Sequence, residues 1–226
     1  MSSGLKTLAW HSLLLCLFSS PIPAEETNTN SNAEQPAVKE EKADPNLFYI
    51  DRMETTKNLL GGRCAPYLKP PSKVMMTKGA DYGHEGAGLK LVFKQANVGG
   101  PYGQGGWCGF YTILKRGDKY FNASPFTHLT FWVRGEEGGE RFKVGIADKQ
   151  YGMIEDSVKS KPIDAYLPEK KITTQWQKAA IPVGDMFVDY NLVDTISINF
   201  EADLFDSEEA SGTVYIDDLA FEKMTD

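Results

Sequence analysis

Apolar residues recur at every second position over much of the chain. Leu89, Leu91 and Phe93 alternate with Lys90, Val92 and Lys94, and Leu129, Phe131 and Val133 alternate with His128, Thr130, Trp132 and Arg134. Phe142, Val144 and Ile146 repeat the pattern, as do Ile196, Ile198 and Phe200, then Val214 and Ile216. A period of two sends successive side chains to opposite faces, so each run reads as a strand with one buried face. Weaker patterns predict strands near 48–54, 74–77, 108–114 and 176–181, which makes about nine in all. Glycine and proline clusters separate them, and no amphipathic pattern lasts beyond two helical turns. Strands joined by turns, without alternating helices, predict an all-β fold: an antiparallel β-sandwich of the jelly-roll type.

The N-terminus breaks this pattern. Lys6 precedes an apolar run from Leu8 to Phe18, too short to span a bilayer with its flanks, and small residues lead up to Ala24. Residues 1–24 therefore read as a secretory signal peptide, which predicts a secreted or periplasmic protein. A lipoprotein reading through Cys16 is weaker, because Leu15 stands where a lipobox requires a small residue. In 25–45 the only branched aliphatic residue is Val38. Such a segment cannot offset its ordering entropy by burial and reads as a disordered linker. Residues 46–226 then form one domain with room for a substantial core.

Charge narrows the partners. Without residues 1–24, which contribute only Lys6, 23 basic residues face 31 acidic ones, a formal charge of −8. Basic and acidic residues are interspersed, which argues against a phosphate backbone as partner. Cys64 and Cys108 are the cysteines that remain, and in an exported chain they are expected to form one disulfide. On the loop-entropy account that bridge would stabilise the fold by about 4 kcal/mol. Metal binding by the pair is disfavoured, since the CxxC spacing is absent.

Catalytic motifs are lacking. There is no GxSxG, HExxH or phosphate-binding loop. Glu201, Asp203 and Asp206 form ExDxxD, near the acidic signature of jelly-roll glycosidases, but the acids run on into a polar DSEEASG connection. The most unusual stretch is GGPYGQGGWCGFY, residues 99–111, with six glycines. Glycines let the backbone approach a partner closely, and Tyr102, Trp107 and Tyr111 present flat faces with polar edges. That composition suits a binding surface, or alternatively a loop entering a buried strand with Trp107 as core.

The ordered set YIDRME, NLLGG, GLKLVF, GGWCGFYTIL, FTHLTFWVRG, FKVGIADK, ITTQWQKAAIPVGDM, DTISINF and GTVYIDDLAF resembles the carbohydrate-binding modules of the galactose-binding-like jelly-roll kind, above all family 11, which bind β-glucan chains. The resemblance spans 47–222. It implies a non-catalytic protein whose partner is a polysaccharide or oligosaccharide, acting alone or beside a separate enzyme subunit. It also implies a structural Ca²⁺ held by Glu54 and Asp217, with Asp51 or Asp218 as the ligands if the register is off by one. Carried over onto this sequence, the ligand cleft would use Trp107, Asp156, Asp189, Tyr190 and Asp194. Trp132, turned away from the core by alternation and accompanied by Arg134, is a further candidate. Two positions depart from the family pattern: an arginine is replaced by Val188 and a cleft tyrosine by Phe200. Two other readings remain: an assembly or chaperone-like module resembling complex I intermediate-associated protein 30, and a sandwich-fold glycosidase acting through Glu201 and Asp203.

Overall fold

The computed structural model describes residues 44–97 and 106–224. The expected signal peptide and nearly all of the linker, together with most of the glycine-rich run, lie outside these residues. Eleven strands are present among the described residues: β1 (Leu47–Asp51), β2 (Cys64–Leu68), β3 (Lys73–Gly79), β4 (Gly88–Ala96), β5 (Trp107–Ile113), β6 (His128–Gly135), β7 (Lys143–Asp148), β8 (Val158–Pro162), β9 (Gln177–Pro182), β10 (Val193–Glu201) and β11 (Glu209–Glu222). One short helix, α1 (Lys149–Met153), follows β7. No helix among the described residues is long and apolar enough to cross a membrane.

The strands form two antiparallel sheets. The first has the order β3-β4-β11-β6-β9, with β1 also pairing with β11; the second has the order β2-β5-β10-β7-β8. The long β11 serves two partners on one edge, since its first half pairs with β4 and its last four residues with β1. The break falls at a bulge between Asp217 and Ala220, where Asp218 takes φ 51°. Neighbours that are distant in sequence, packed as two sheets, make a jelly-roll sandwich.

Alternation supplies the core. Leu89, Leu91 and Phe93 from β4, Leu129, Phe131 and Val133 from β6, and Val214 and Ile216 from β11 are buried against Phe110, Val144, Ile146, Ile196, Ile198 and Phe200 of the second sheet. Phe93 stacks on Phe200 across the layers, with ring centroids 3.9 Å apart and planes 11° apart. Burying each such ring stabilises the sandwich by about 1.5–3 kcal/mol. The sheet thereby has its inner side fully committed and leaves the outer sides of β5 and β10 for function.

Candidate functional site

On β5, alternation turns Cys108, Phe110 and Thr112 into the core. The same period leaves Trp107, Gly109, Tyr111 and Ile113 facing outward. Across the ladder Glu201, Asn199, Ser197 and Thr195 of β10 stand opposite those four in order. Beyond them come Lys143, Gly145 and Ala147 of β7. Two glycines keep this floor low. A Cβ on Gly109 would lie 1.9 Å from the Ile198 carbonyl oxygen and 3.0 Å from the Tyr67 ring, and one on Gly145 would lie 2.4 Å from the hydroxyls of Ser157 and Ser197. The outer face therefore holds a groove of ≈ 520 Å³.

Rings form one wall. Tyr67 on the edge strand β2 stands opposite Gly109 and lies over its missing side chain. Its hydroxyl donates to Asn199 Oδ1 and, at 3.4 Å, lies near the Ile198 carbonyl oxygen. Burial pushes the phenol well above its ordinary value, with the Glu201 carboxylate adding to the shift, so the hydroxyl stays protonated. The Tyr67 ring is 5.4 Å from Trp107 and 6.3 Å from Tyr111. Trp107, 39 % exposed, offers an open face at the end of this row. From Trp107 to Tyr111 the strand runs about 13 Å, the scale of an oligosaccharide.

Polar groups form the other wall, where α1 and its following turn lead into β8. Asp148 fixes this turn: Oδ1 accepts the N–H groups of Gln150 (2.8 Å) and Tyr151 (3.1 Å), and Oδ2 accepts that of Asp189 (2.9 Å). Burial disfavours the charge on Asp148, but the three backbone donors outweigh it and hold the carboxyl below its usual range. Asp156 accepts the Ser157 N–H at 2.7 Å and Lys159 Nζ at 3.3 Å, and is likewise held low. Asp194 accepts the Thr195 hydroxyl at 2.8 Å, and its carboxylate occupies the space beside Gly152, where a Cβ would come within 2.7 Å. Lys143 pairs with both Glu201, at 3.3 Å, and Asp203, the two acids weighed for glycosidase chemistry. The groove thus combines ring faces with donors and acceptors on a rigid sheet, a set suited to recognising hydroxyl-rich rings.

Of the residues expected from the sequence, Trp107, Asp156 and Asp194 line this groove together. Asp189 and Tyr190 are not among its walls. Asp189 accepts from the backbone and side chain of Asn191, closing its own turn, while Tyr190 packs against the core with its hydroxyl buried and unpartnered. Trp132 belongs to β6 of the opposite sheet, so alternation placed it on an outer face but could not say which one. It stacks on His84 at 3.9 Å with planes 9° apart.

The expected disulfide is also corrected. Cys64 stands opposite Thr112 and Cys108 opposite Leu68, at the two ends of the β2–β5 ladder. Four residues of strand separate them by about 13 Å, whereas a bridge needs Cα atoms within about 7 Å. Both are free, buried thiols. Burial pushes Cys64 up to about 11 and Cys108 up to about 12.

At the corner expected to hold a metal, Asp217 is fully buried. Its Oδ2 accepts the N–H groups of His84 (2.8 Å) and Glu85 (3.2 Å), and its Oδ1 accepts that of Asp218 (2.8 Å). Burial raises the Asp217 carboxyl, and Asp218 beside it is pushed up to about 6 by burial and by the Asp217 charge. Glu54 is exposed and reaches the Gly86 turn, where a Cβ would stand 3.4 Å from its Oε1. Among the described residues, no three His, Cys, Asp or Glu side chains converge as a metal-holding group. The donors at this corner are nonetheless carboxylate oxygens, the type that suits Ca²⁺.

The family model of carbohydrate binding domain 30 matches residues 73–223. The chain belongs to that family. Among solved structures, the family 30 domain described here is similar to a family 11 module from Clostridium thermocellum in complex with a β-1,3-1,4-mixed-linked tetrasaccharide, with 15 % identity over 81 % of this chain and 99 % of that one and a TM-score of 0.59. A family 30 module of a cellulosomal cellulase of Clostridium thermocellum matches with 21 % identity over 80 % and 99 % of the two chains and a TM-score of 0.54. A β-1,2-glucanase from Parabacteroides distasonis matches in fold, with 15 % identity over 79 % of this chain and 25 % of that one and a TM-score of 0.53. No curated protein matches. At these identities the solved structures bear on fold alone, and they agree with the jelly-roll sandwich.

Sequence reasoning missed several residues of this family 30 domain. Tyr67 lies on an edge strand that no alternating pattern marked, and it organises the aromatic wall. Asn199 and Ser197 form the floor, and continuing the alternation of Ile196, Ile198 and Phe200 would have turned both outward. Phe200, a departure from the family 11 pattern, is a fully buried core ring.

Proposed function

We propose that this protein is a secreted, non-catalytic module that binds a β-glucan-type polysaccharide along the outer face of β2-β5-β10-β7-β8. The observation that carries this reading is the row Trp107, Tyr67 and Tyr111, facing Asp156 and Asp194 across a glycine-lowered floor. Ring faces cover the apolar faces of sugars, while Asp156, Asp194 and Asn199 accept from or donate to hydroxyls. The mixed-linkage glucan bound by the family 11 structure supports this choice of ligand class. Two or three stacked rings leave millimolar to micromolar affinity, about 4–8 kcal/mol. Affinity electrophoresis tests the reading: mobility should fall in gels containing mixed-linkage β-glucan, and equal mobility in every glucan gel refutes it.

A structural Ca²⁺ at the corner of Glu54, Asp217 and Asp218 is part of this proposal. It would bind between carboxylates and turn carbonyls and tie β11 to the connection before β4. Calcium should raise the melting temperature and a chelator lower it; a melting temperature indifferent to both removes the ion from the account.

A further inference from the structure

Along β4 the inward positions read Leu89, Leu91, Phe93 and then Gln95. A fourth apolar side chain would continue the pattern, yet an amide stands there, fully buried. Its Nε2 donates to the Gly106 carbonyl oxygen at 2.9 Å, while its Oε1 is buried with no partner among the described residues. A half-satisfied amide serves a core less well than an apolar side chain of the same size. The one bond it makes has to account for its place.

That bond ends beside the open ring of the groove. Gly106 precedes Trp107, the first residue of β5. Strand ends open most readily, so a platform at such an end needs anchorage. The Gly106 N–H donates to the Ala96 carbonyl oxygen at 2.9 Å, the Gly106 carbonyl accepts from Gln95, and the Trp107 carbonyl accepts the Lys69 N–H at 2.9 Å. Buried Ser72 completes the clamp, its Oγ accepting the Ala96 N–H at 3.1 Å. The fit leaves no room at Gly106, where a Cβ would lie 2.1 Å from the Ala96 carbonyl oxygen and 2.4 Å from Ser72 Oγ. Since β4 belongs to the opposite sheet, Gln95 ties the end of the groove to the other layer of the sandwich.

We propose that Gln95 is a positioning residue for carbohydrate binding: from the opposite sheet it fixes the peptide before Trp107, and with it the angle at which the indole meets a sugar ring. The inference rests on the reading of the groove as a glycan site. Gln95 touches no ligand itself, because it lies wholly within the core.

Gln95→Met tests this in the full chain, since it keeps the length of the side chain and removes the donor. The Trp107 backbone amide should become more mobile, read as a lower heteronuclear NOE, while the amides of Trp132 and Trp176 stay unchanged. Affinity for mixed-linkage β-glucan should fall about three- to tenfold. The melting temperature should stay level or rise, because the bare Oε1 is removed along with the bond. In a Trp107→Ala background the same change should cost no further affinity. If Gln95→Met does not fold, Gly106→Ala breaks the clamp from the other side of the bond, and the same outcomes are expected. A Trp107 amide as rigid as in the wild type, or an affinity loss equal in both backgrounds, overturns the proposal. A wild type without glucan affinity refutes the groove reading, whereas a wild type that binds and a variant that binds equally well refute the role of Gln95 alone.

Discussion

The two outer faces of this sandwich are both rich in aromatic rings, yet only one of them is open. On the β2-β5-β10-β7-β8 face, Trp107, Tyr67 and Tyr111 stand beside glycines, and the space above Gly109 and Gly145 is left as a groove. On the opposite face, Tyr82, His84, Trp132, Trp176 and Tyr215 contact one another. Arg134 lies 3.7 Å over the Tyr215 ring and Lys90 lies 5.4 Å over Tyr82. Those rings already have partners on their faces, which makes them a covering layer. The contrast teaches that a ring becomes a binding platform when backbone without side chains leaves its face uncovered, and that aromatic content by itself does not decide.

Truncating one ring on each face is the sharpest way to break this contrast. Trp107→Ala should cost about 1.5–3 kcal/mol of glucan affinity, roughly a 10- to 100-fold rise in Kd, with little change in melting temperature. Trp132→Ala should do the reverse, leaving Kd unchanged and lowering stability by about 2–3 kcal/mol through loss of its stack on His84. Equal binding losses in the two variants would erase the distinction between open and covered faces.

Asp148 offers a test of how the open face is held in shape. Replacing it by alanine frees three backbone N–H groups, at Gln150, Tyr151 and Asp189, and should destabilise the fold by about 2–3 kcal/mol while loosening the Asp156 wall. Its carboxyl is held below the ordinary range, so the stability it supplies is complete above about pH 4–5 and is lost as the pH falls through its lowered value. Thermal melts of the wild type and Asp148→Asn should therefore differ at neutral pH and converge on acidification. A gap that stays constant down to acid pH would remove the charge of Asp148 from the explanation.

Next in size is Gly145→Ala, which would place a methyl 2.4 Å from the Ser157 and Ser197 hydroxyls and partly fill the floor. The expected effect is about 1–2 kcal/mol, divided between glucan affinity and stability, as read by affinity electrophoresis and thermal melts. Unchanged affinity would show that the ligand does not descend to the floor at β7.

How much of this the sequence disclosed follows from which signals are local. Central strands such as β4, β6 and β10 announce themselves, because burial of one face forces strict alternation. The two strands that alternation missed, β2 (CAPYL) and β8 (VKSKP), are the two edges of the groove sheet. Edge strands tolerate Pro66 and carry Lys159 and Lys161, which blunts the apolar pattern and hides them. Since β2 carries Tyr67 and β8 carries Lys159, half of the groove wall was hidden with them. Trp132 failed for another reason: a period of two tells inside from outside, but only pairing between distant strands tells one outside from the other. The disulfide rested on number and compartment, and neither contains the register of β2 against β5.

That register gives the smallest expected effect. Cys64 and Cys108 lie beneath the open face, and their separation along the ladder leaves β2 attached to β5 through backbone pairing without a covalent clamp. A reductant should therefore change neither the melting temperature nor glucan affinity. Burial raises the two thiols to about 11 and 12, so at neutral pH both are protonated, and a thiol reagent should react with them only once the protein unfolds. Both Cys64 and Cys108 should titrate as thiols in the unfolded, unreduced protein. A melting temperature that fell with reductant would mean that β2 is pinned by a bridge, that the ladder register differs from the one described, and that Tyr67 does not stand over Gly109.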